Sequence, residues 1–72
     1  MEKLTFMQKI VLDCLRKYYN ENLRMPTQSE VREMLGVNSV GTVHKHLHNL
    51  EKKGYIAITP KFRRGISFVE NN

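Results

Sequence analysis

Two adjacent helices joined by a very short turn are the feature that most constrains the fold of this chain. The first begins at a capping box, Thr27–Glu30, in which the two end residues bond each other's backbone N–H. A short apolar stripe follows, formed by Val31, Met34 and Leu35. Gly36 fits the left-handed residue that ends a helix, and Asn38 or Ser39 can begin the next one. This arrangement predicts a helix-turn-helix.

Another capping box, Thr5–Gln8, predicts a helix before this pair. Apolar residues follow it at intervals of three and four, which places them on one helical face. They are Met7, Ile10, Val11, Cys14, Leu15 and Tyr18. The pattern breaks at Asn20–Asn22, so we predict that this helix ends near Tyr19. Because Cys14 lies on the apolar face, we interpret it as a small core residue and not as a nucleophile.

The segment from Ser39 to Gly54 is predicted to be a third helix with two distinct faces. At about 100° per residue, the face toward the core carries Val43, Leu47 and Leu50. The opposite face, here called the polar stripe, carries Gly41, Lys45, His48 and Lys52, flanked by Thr42 and His44. A helix that enters the major groove needs short or polar groups that reach base edges and cations that reach phosphates. The polar stripe has both.

After Gly54 the hydrophobic period changes from helical to alternating. Tyr55–Thr59 and Ile66–Val69 each place two apolar residues on one face, and the segment Pro60–Gly65 between them is basic. This pattern predicts a two-stranded hairpin whose tip, here called the wing loop, is residues 60–65. The predicted fold class is α+β, mainly α: a winged helix-turn-helix in a single domain over residues 1–72.

The positive charge of the chain is concentrated in one part of the sequence. The net charge is +5 overall, and Ser39–Arg64 alone contains six basic residues and one acidic residue. Such an excess indicates a polyanionic partner, either nucleic acid or an acidic membrane surface. The membrane is the weaker alternative, because the cations lie on a predicted compact fold and not on a long amphipathic helix.

No motif of an enzyme is present in the sequence. It contains no glycine-rich phosphate loop, no HExxH and no plausible catalytic triad, so we expect a non-enzymatic protein without cofactors. His44 and His48 are four residues apart, but a third metal ligand is missing nearby, so we expect no metal site. A single cysteine and the lack of a secretory signal favour the cytoplasm, at the nucleoid of a bacterial or phage-infected cell.

The residues quoted above resemble the N-terminal DNA-binding domain of LexA-type SOS repressors over nearly the whole chain. That family opens with leucine-threonine, a glutamine and an aliphatic helix, followed by "PPT", where this chain has "MPT" at 25–27. "TVHKHLHNLEKKG" at 42–54 resembles the Gram-positive branch, and "RRGISFVE" at 63–70 resembles the closing strand.

The resemblance implies two sets of DNA contacts. The positions that read bases are Ser39, Gly41, Thr42, His44 and Lys45. The positions that face phosphates include Lys52, Lys53, Arg63 and Arg64, to which the polar stripe and the basic loop add His48 and Lys61. We expect no acidic neighbour for Arg63 or Arg64, whereas Phe62 either packs under the hairpin, which we favour, or touches a sugar. Gly41 and Lys45 depart from more polar or acidic family residues, so the operator sequence stays open.

LexA repressors continue into a second domain that carries a self-cleavage site, a serine-lysine dyad and the main dimer contact. This sequence ends at Asn72, so we expect either an excised domain or a stand-alone phage or mobile-element regulator that self-cleavage cannot inactivate. We also expect a monomer in solution, with two copies on a palindromic operator and modest cooperativity.

A function from a different class is also compatible with a winged helix. The domain could bind a repressor or a polymerase subunit and act as a co-regulator or antirepressor. The lysines of the polar stripe favour DNA, because the centre of a protein interface is usually depleted of lysine.

Overall fold

A computed structural model of the chain describes residues 3–69, which form three helices followed by an antiparallel hairpin. Helix α1 is Phe6–Asn22, α2 is Gln28–Leu35 and α3 is Val40–Lys52. Strands β1 and β2 are Ile56–Ile58 and Ile66–Phe68. The element order confirms the predicted winged helix-turn-helix. Within residues 3–69, no helix is long and apolar enough to cross a membrane.

Both predicted capping boxes are present. The Gln8 backbone N–H donates to Thr5 Oγ1 over 3.2 Å, and the Thr5 N–H donates to Gln8 Oε1 over 3.1 Å. Thr27 and Glu30 form the same reciprocal pair at 3.1 and 2.8 Å. Each box satisfies two backbone donors that have no partner inside the helix.

The prediction that α1 ends near Tyr19 is wrong, because the helix continues to Asn22. Leu23 then takes the left-handed conformation, with φ 57°, and its N–H donates to the Tyr19 carbonyl over 2.7 Å. The last turn is exposed and polar, so it carries no apolar periodicity although its backbone stays helical. The amide of Asn22 donates to the Tyr18 carbonyl over 3.0 Å and helps to close that turn.

The turn between α2 and α3 has four residues, 36–39. Gly36 has φ 71°, which favours glycine, and its N–H bonds the carbonyls of Arg32 and Glu33. Ser39 is the N-cap of α3, and its Oγ accepts from the Gly41 N–H over 3.1 Å. The start and stop signals of the helix-turn-helix are therefore confirmed.

One apolar core joins the three helices to the hairpin. Its buried members are Val11, Leu12, Leu15, Met25, Val31, Val43, Leu47, Leu50, Ile56 and Ile66. The predicted stripe of α1 needs correction at two positions: Met7 is 39% exposed, and Leu12, which the stripe omitted, is 2% exposed. Met7 lies in the first turn, where the buried position is taken by Gln8 instead. Cys14 is half-buried, and this burial, with the charge of Asp13 as a smaller cause, raises the pKa of its thiol.

The hairpin is attached to the helices through its apolar face. Ile56 pairs with Phe68 and Ile58 with Ile66, so all four side chains share one face of the ribbon. The Phe68 ring meets the Tyr19 ring edge-to-face, with centroids 6.0 Å apart. The Glu51 carboxylate accepts from the Ile58 N–H over 2.9 Å, which ties β1 to the end of α3.

Candidate nucleic-acid interface

Helix α3 is held by one face and leaves the opposite face free. Val43, Leu47 and Leu50 are fully buried, as the sequence predicted. The polar stripe and the residues that flank it are exposed: Gly41, Thr42, His44, Lys45, His48 and Lys52. The structure therefore brings these predicted residues together on one surface of the helix-turn-helix. Because its position is fixed by burial, α3 can present these groups without using any of them to hold itself in place.

The start of α3 combines a cap with a close approach of the backbone. The Ser39 hydroxyl accepts the Gly41 N–H and still has its own O–H to donate. A Cβ atom at Gly41 would lie 3.2 Å from Ser39 Oγ, which is a tight contact. The glycine costs about 1 kcal/mol of helix stability relative to alanine. In return it leaves room for the capping hydroxyl and exposes the backbone of the first turn.

The middle of the polar stripe carries two histidines one turn apart. The rings of His44 and His48 are nearly parallel, with 15° between their planes and 6.3 Å between their centroids. Each neutral imidazole has one donor and one acceptor nitrogen, so the pair can bond base edges or phosphate oxygens. Among residues 3–69, no cluster of three or more metal-binding side chains accompanies them.

The two lysines at the C-terminal end of α3 differ in what they contact. Lys52 is exposed, and within residues 3–69 its side chain makes no hydrogen bond or ion pair. Lys53 Nζ instead donates to Gln8 Oε1 over 2.6 Å and to the Lys3 carbonyl over 2.9 Å. The expectation that Lys53 faces phosphate stays a prediction, and in the structure its ammonium bonds the start of α1. Gln8 is 7% exposed and belongs to the capping box of α1. The contact therefore links the C-terminal end of α3 to the N-terminal end of α1.

The tip of the wing loop is open to solvent. Lys61 and Arg63 are exposed and, within residues 3–69, have no hydrogen-bond or ion-pair partner. The expectation that Phe62 packs under the hairpin is wrong, since 69% of this residue is exposed. Phe62 and Arg63 face the first turn of α2 across a cleft of ≈ 250 Å³ that Thr27, Gln28 and Ser29 also line. No local pattern of residues indicates that Thr27, Gln28 and Ser29 lie beside the wing loop.

Arg64, the next residue, has a different environment. Its Nη1 lies 2.7 Å from Glu30 Oε1 and 3.0 Å from the Met25 carbonyl oxygen, and its Nη2 lies 3.3 Å from Glu30 Oε2. The expectation that Arg64 has no acidic neighbour is therefore wrong. The Tyr18 hydroxyl also donates to Glu30 Oε2, over 3.0 Å. We call Tyr18, Glu30 and Arg64, with the Met25 carbonyl, the wing anchor.

The wing anchor changes the acidity of Glu30. The hydrogen bonds from Arg64 and from the Thr27 N–H favour the carboxylate, and they lower the pKa of Glu30 to about 2. Sequence reasoning missed this cluster because Arg64 is 34 residues from Glu30 and 46 from Tyr18. The only local signal was the capping box, which placed Glu30 at the start of α2 and engaged one of its oxygens.

The matched family agrees with the fold. The family described as the LexA DNA binding domain matches residues 1–65. The chain belongs to the LexA DNA-binding domain family. This result confirms the family that was expected from "TVHKHLHNLEKKG", from the opening segment with "MPT" and from "RRGISFVE".

Several similar proteins are named LexA repressors. The chain is 38% identical to a LexA repressor of Alcanivorax borkumensis over 69 residues, which are 96% of the chain and 34% of that protein. It is 39% identical to a LexA repressor of Bacillus mycoides and 36% identical to one of Haemophilus influenzae; each alignment covers 100% of the chain and 35% of the relative. The chain thus spans about a third of the length of these LexA repressors.

Proposed function

We propose that this chain binds double-stranded DNA at specific sequences and represses transcription there. The observation that carries this proposal is the polar stripe of α3. A basic, hydrogen-bonding surface lies on the second helix of a helix-turn-helix, and the other side of that helix is fully buried. Membership of the LexA DNA-binding domain family supports the same function. The proposed role is one of binding, with no catalytic step.

The first half of α3 reads base edges in the major groove. This role belongs to Ser39, Gly41, Thr42, His44 and Lys45. Lys45 can donate to guanine O6 and N7, and the Thr42 methyl group can contact a thymine methyl group. The Ser39 hydroxyl can donate to an acceptor on either base of a pair. Gly41 permits the helix backbone to come close to the groove floor. Ser39 through Lys45 thus form the specificity-determining part of the surface.

The remaining exposed side chains hold the DNA backbone. They are His48 and Lys52 on the later turns of α3, and Lys61 and Arg63 on the wing loop. The two lysines and the arginine can each neutralise a phosphate and release a counterion, and His48 can hydrogen-bond a phosphate oxygen. Lys53 and Arg64 are removed from this set, because their charged groups already bond other parts of the protein.

The partner DNA is a palindromic operator that takes two copies of the domain. A single module buries little DNA surface and therefore binds weakly, so two symmetric half-sites raise the total affinity. Free copies are monomeric, and the cooperativity between bound copies is modest. The site of action is the bacterial cytoplasm, at the nucleoid, as expected for relatives of bacterial LexA repressors.

Binding of duplexes selected from a random pool tests this function. After selection, the affinity of the full chain is measured for the enriched duplex and for a scrambled duplex over a range of salt concentrations. DNA binding predicts that the enriched duplex binds more tightly and that both affinities fall as salt rises. A chain that enriches no sequence and does not bind the random duplex pool would instead support the protein-interaction alternative, in which the domain is a co-regulator or antirepressor.

A further inference from the structure

The wing loop has few internal bonds to hold its shape. Its backbone is closed by the Thr59 N–H to the Gly65 carbonyl over 2.8 Å and by the Phe62 N–H to the Thr59 carbonyl over 3.3 Å. Both bonds lie within the hairpin, so neither fixes the loop relative to the helices. Lys61, Phe62 and Arg63 are exposed, so the tip of the loop adds little buried surface. A loop of this kind needs another contact to keep its direction.

Within residues 3–69, the hydrogen bonds from the wing loop to the helical part of the protein all come from the Arg64 guanidinium. It reaches three separate places: Tyr18 on α1, the Met25 carbonyl before α2, and Glu30 on α2. A guanidinium is planar and presents several N–H donors in a fixed fork. Contacts with two helices and with the segment between them therefore set both the position and the angle of the loop.

We propose that Arg64 is a positioning residue, which acts through Glu30 to hold the wing loop so that Lys61 and Arg63 reach the DNA backbone. This inference rests on the proposed DNA-binding function and deepens it. Arg64 contributes to affinity by fixing its neighbours, and Glu30 contributes although its charge has the same sign as DNA.

The geometry argues against a phosphate contact from Arg64 itself. Its Nη1 and Nη2 both face the Glu30 carboxylate, and the paired charges cancel at a distance. A phosphate in the same place would compete with that carboxylate and be repelled by it. Arg63 has no such partner among the described residues, so the two adjacent arginines have different roles.

Whether Glu30→Gln weakens or tightens DNA binding separates a positioning role for Arg64 from a direct phosphate contact. Glutamine keeps the capping box, because its oxygen can still accept the Thr27 N–H, but it removes the charge that holds Arg64. A positioning role predicts that E30Q weakens binding to the selected duplex by about two- to fivefold, the range of a partly exposed ion pair. If Arg64 were a phosphate contact, E30Q would free it and tighten binding.

Glu33→Gln is the matched control. Glu33 lies on the same helix, is exposed and has no ion pair within residues 3–69, so E33Q removes the same charge without touching the wing anchor. We expect E33Q to leave DNA binding unchanged or slightly tighter. Equal effects of E30Q and E33Q would overturn the proposal.

Arg64→Ala completes a double-mutant cycle. If Arg64 acts through Glu30, E30Q should have little further effect on the affinity of an R64A protein, because the pair is already broken. Additive losses would contradict the coupling and return Arg64 to the set of phosphate contacts.

Amide hydrogen exchange of the free protein keeps this test separate from the proposed function. In R64A, exchange at the Thr59 amide should speed up while the amides of α3 keep their protection. This result would support the positioning role even if the wild-type chain failed to bind DNA. Unchanged exchange at Thr59 would contradict it even if binding were weakened.

Discussion

Helix α3 and the wing loop both present exposed cations, but they are held in place by different means. Three fully buried side chains fix α3, so Lys45 and Lys52 remain free on its surface. The wing loop has exposed side chains at its tip, and one of its two arginines bonds Glu30. A helix can be fixed by apolar burial alone, whereas a short loop of a small domain holds its direction with a charged side chain.

Removal of a buried contact under α3 is expected to have the largest effect. Leu47→Ala should lower the free energy of unfolding by about 2–5 kcal/mol, since the residue is fully buried and its truncation leaves a cavity that neighbouring side chains fill only in part. The adjacent His48 is exposed, and His48→Ala should change stability by about 0.5 kcal/mol or less. Denaturant unfolding measures both variants, and similar losses for the two would break the comparison.

The closure of the wing loop depends on a glycine. A Cβ atom at Gly65 would collide with the Thr59 carbonyl oxygen and lie 2.9 Å from the Phe62 carbonyl oxygen. Gly65→Ala should therefore lower stability by about 1–3 kcal/mol, as overpacking does elsewhere. Faster amide exchange should appear in the hairpin and leave the centre of α3 protected. Uniform loss of protection over the whole chain would show that the wing is not a separate unit.

Base reading should depend on the polar stripe and not on the wing. Lys45→Ala is predicted to cost about 1–3 kcal/mol on the selected duplex and to relax the base preference at one or two positions. Affinity for a scrambled duplex should change much less. Equal losses on both duplexes would reduce Lys45 to a phosphate contact.

Loss of a free wing cation should act on all sequences alike. Arg63→Ala should weaken the selected and the scrambled duplex by the same factor and lower the slope of log K against log salt by about 0.9. Arg64→Ala is the comparison at the neighbouring residue, and any change in its DNA affinity is expected to reflect the position of the wing loop. An Arg63→Ala protein with an unchanged salt slope would place the wing away from DNA.

The smallest expected effect is a difference in the pH dependence of stability. The pKa of Glu30 is lowered from 4.5 to about 2, first by the Arg64 hydrogen bond and then by the Thr27 N–H. A lowered carboxyl pKa contributes stability that is present above about pH 4.5 and is lost as pH falls toward 2. The midpoint of thermal unfolding should therefore fall less steeply across this range in Glu30→Gln than in the wild type. Parallel profiles would mean that the Arg64 contact adds nothing to folding.

Local sequence rules were sufficient for the elements and for the exposed face of α3. Capping boxes, the glycine after α2 and helical periodicity involve residues that are close in the chain, so the positions of α2 and α3 followed from them. The same rules failed at the end of α1, where exposed residues stay helical although none of them packs into the apolar core. They also assigned Met7 to the core and omitted Leu12, because periodicity alone does not fix where the buried face is centred.

The roles of individual cations could not be predicted in the same way. Lys53 bonds Gln8 across 45 residues of sequence, and Arg64 bonds Glu30 across 34. Neither pairing follows a periodic pattern, because each depends on how the hairpin and α1 pack against the other helices. In the linear sequence, Lys52 and Lys53, or Arg63 and Arg64, are equivalent neighbours. Only the folded chain separates the free cation of each pair from the bonded one.

The most direct test of the account is the preference of the full chain for a selected duplex over a scrambled one, measured as salt is raised. We predict that log K falls linearly with log salt for both duplexes, while the selected duplex binds more tightly throughout. Lys45→Ala should reduce the difference in affinity between the two duplexes. Arg63→Ala should lower the affinity for both duplexes and leave that difference unchanged. Equal affinity of the wild type for the two duplexes, or affinity that does not change with salt, would contradict sequence-specific DNA binding through α3.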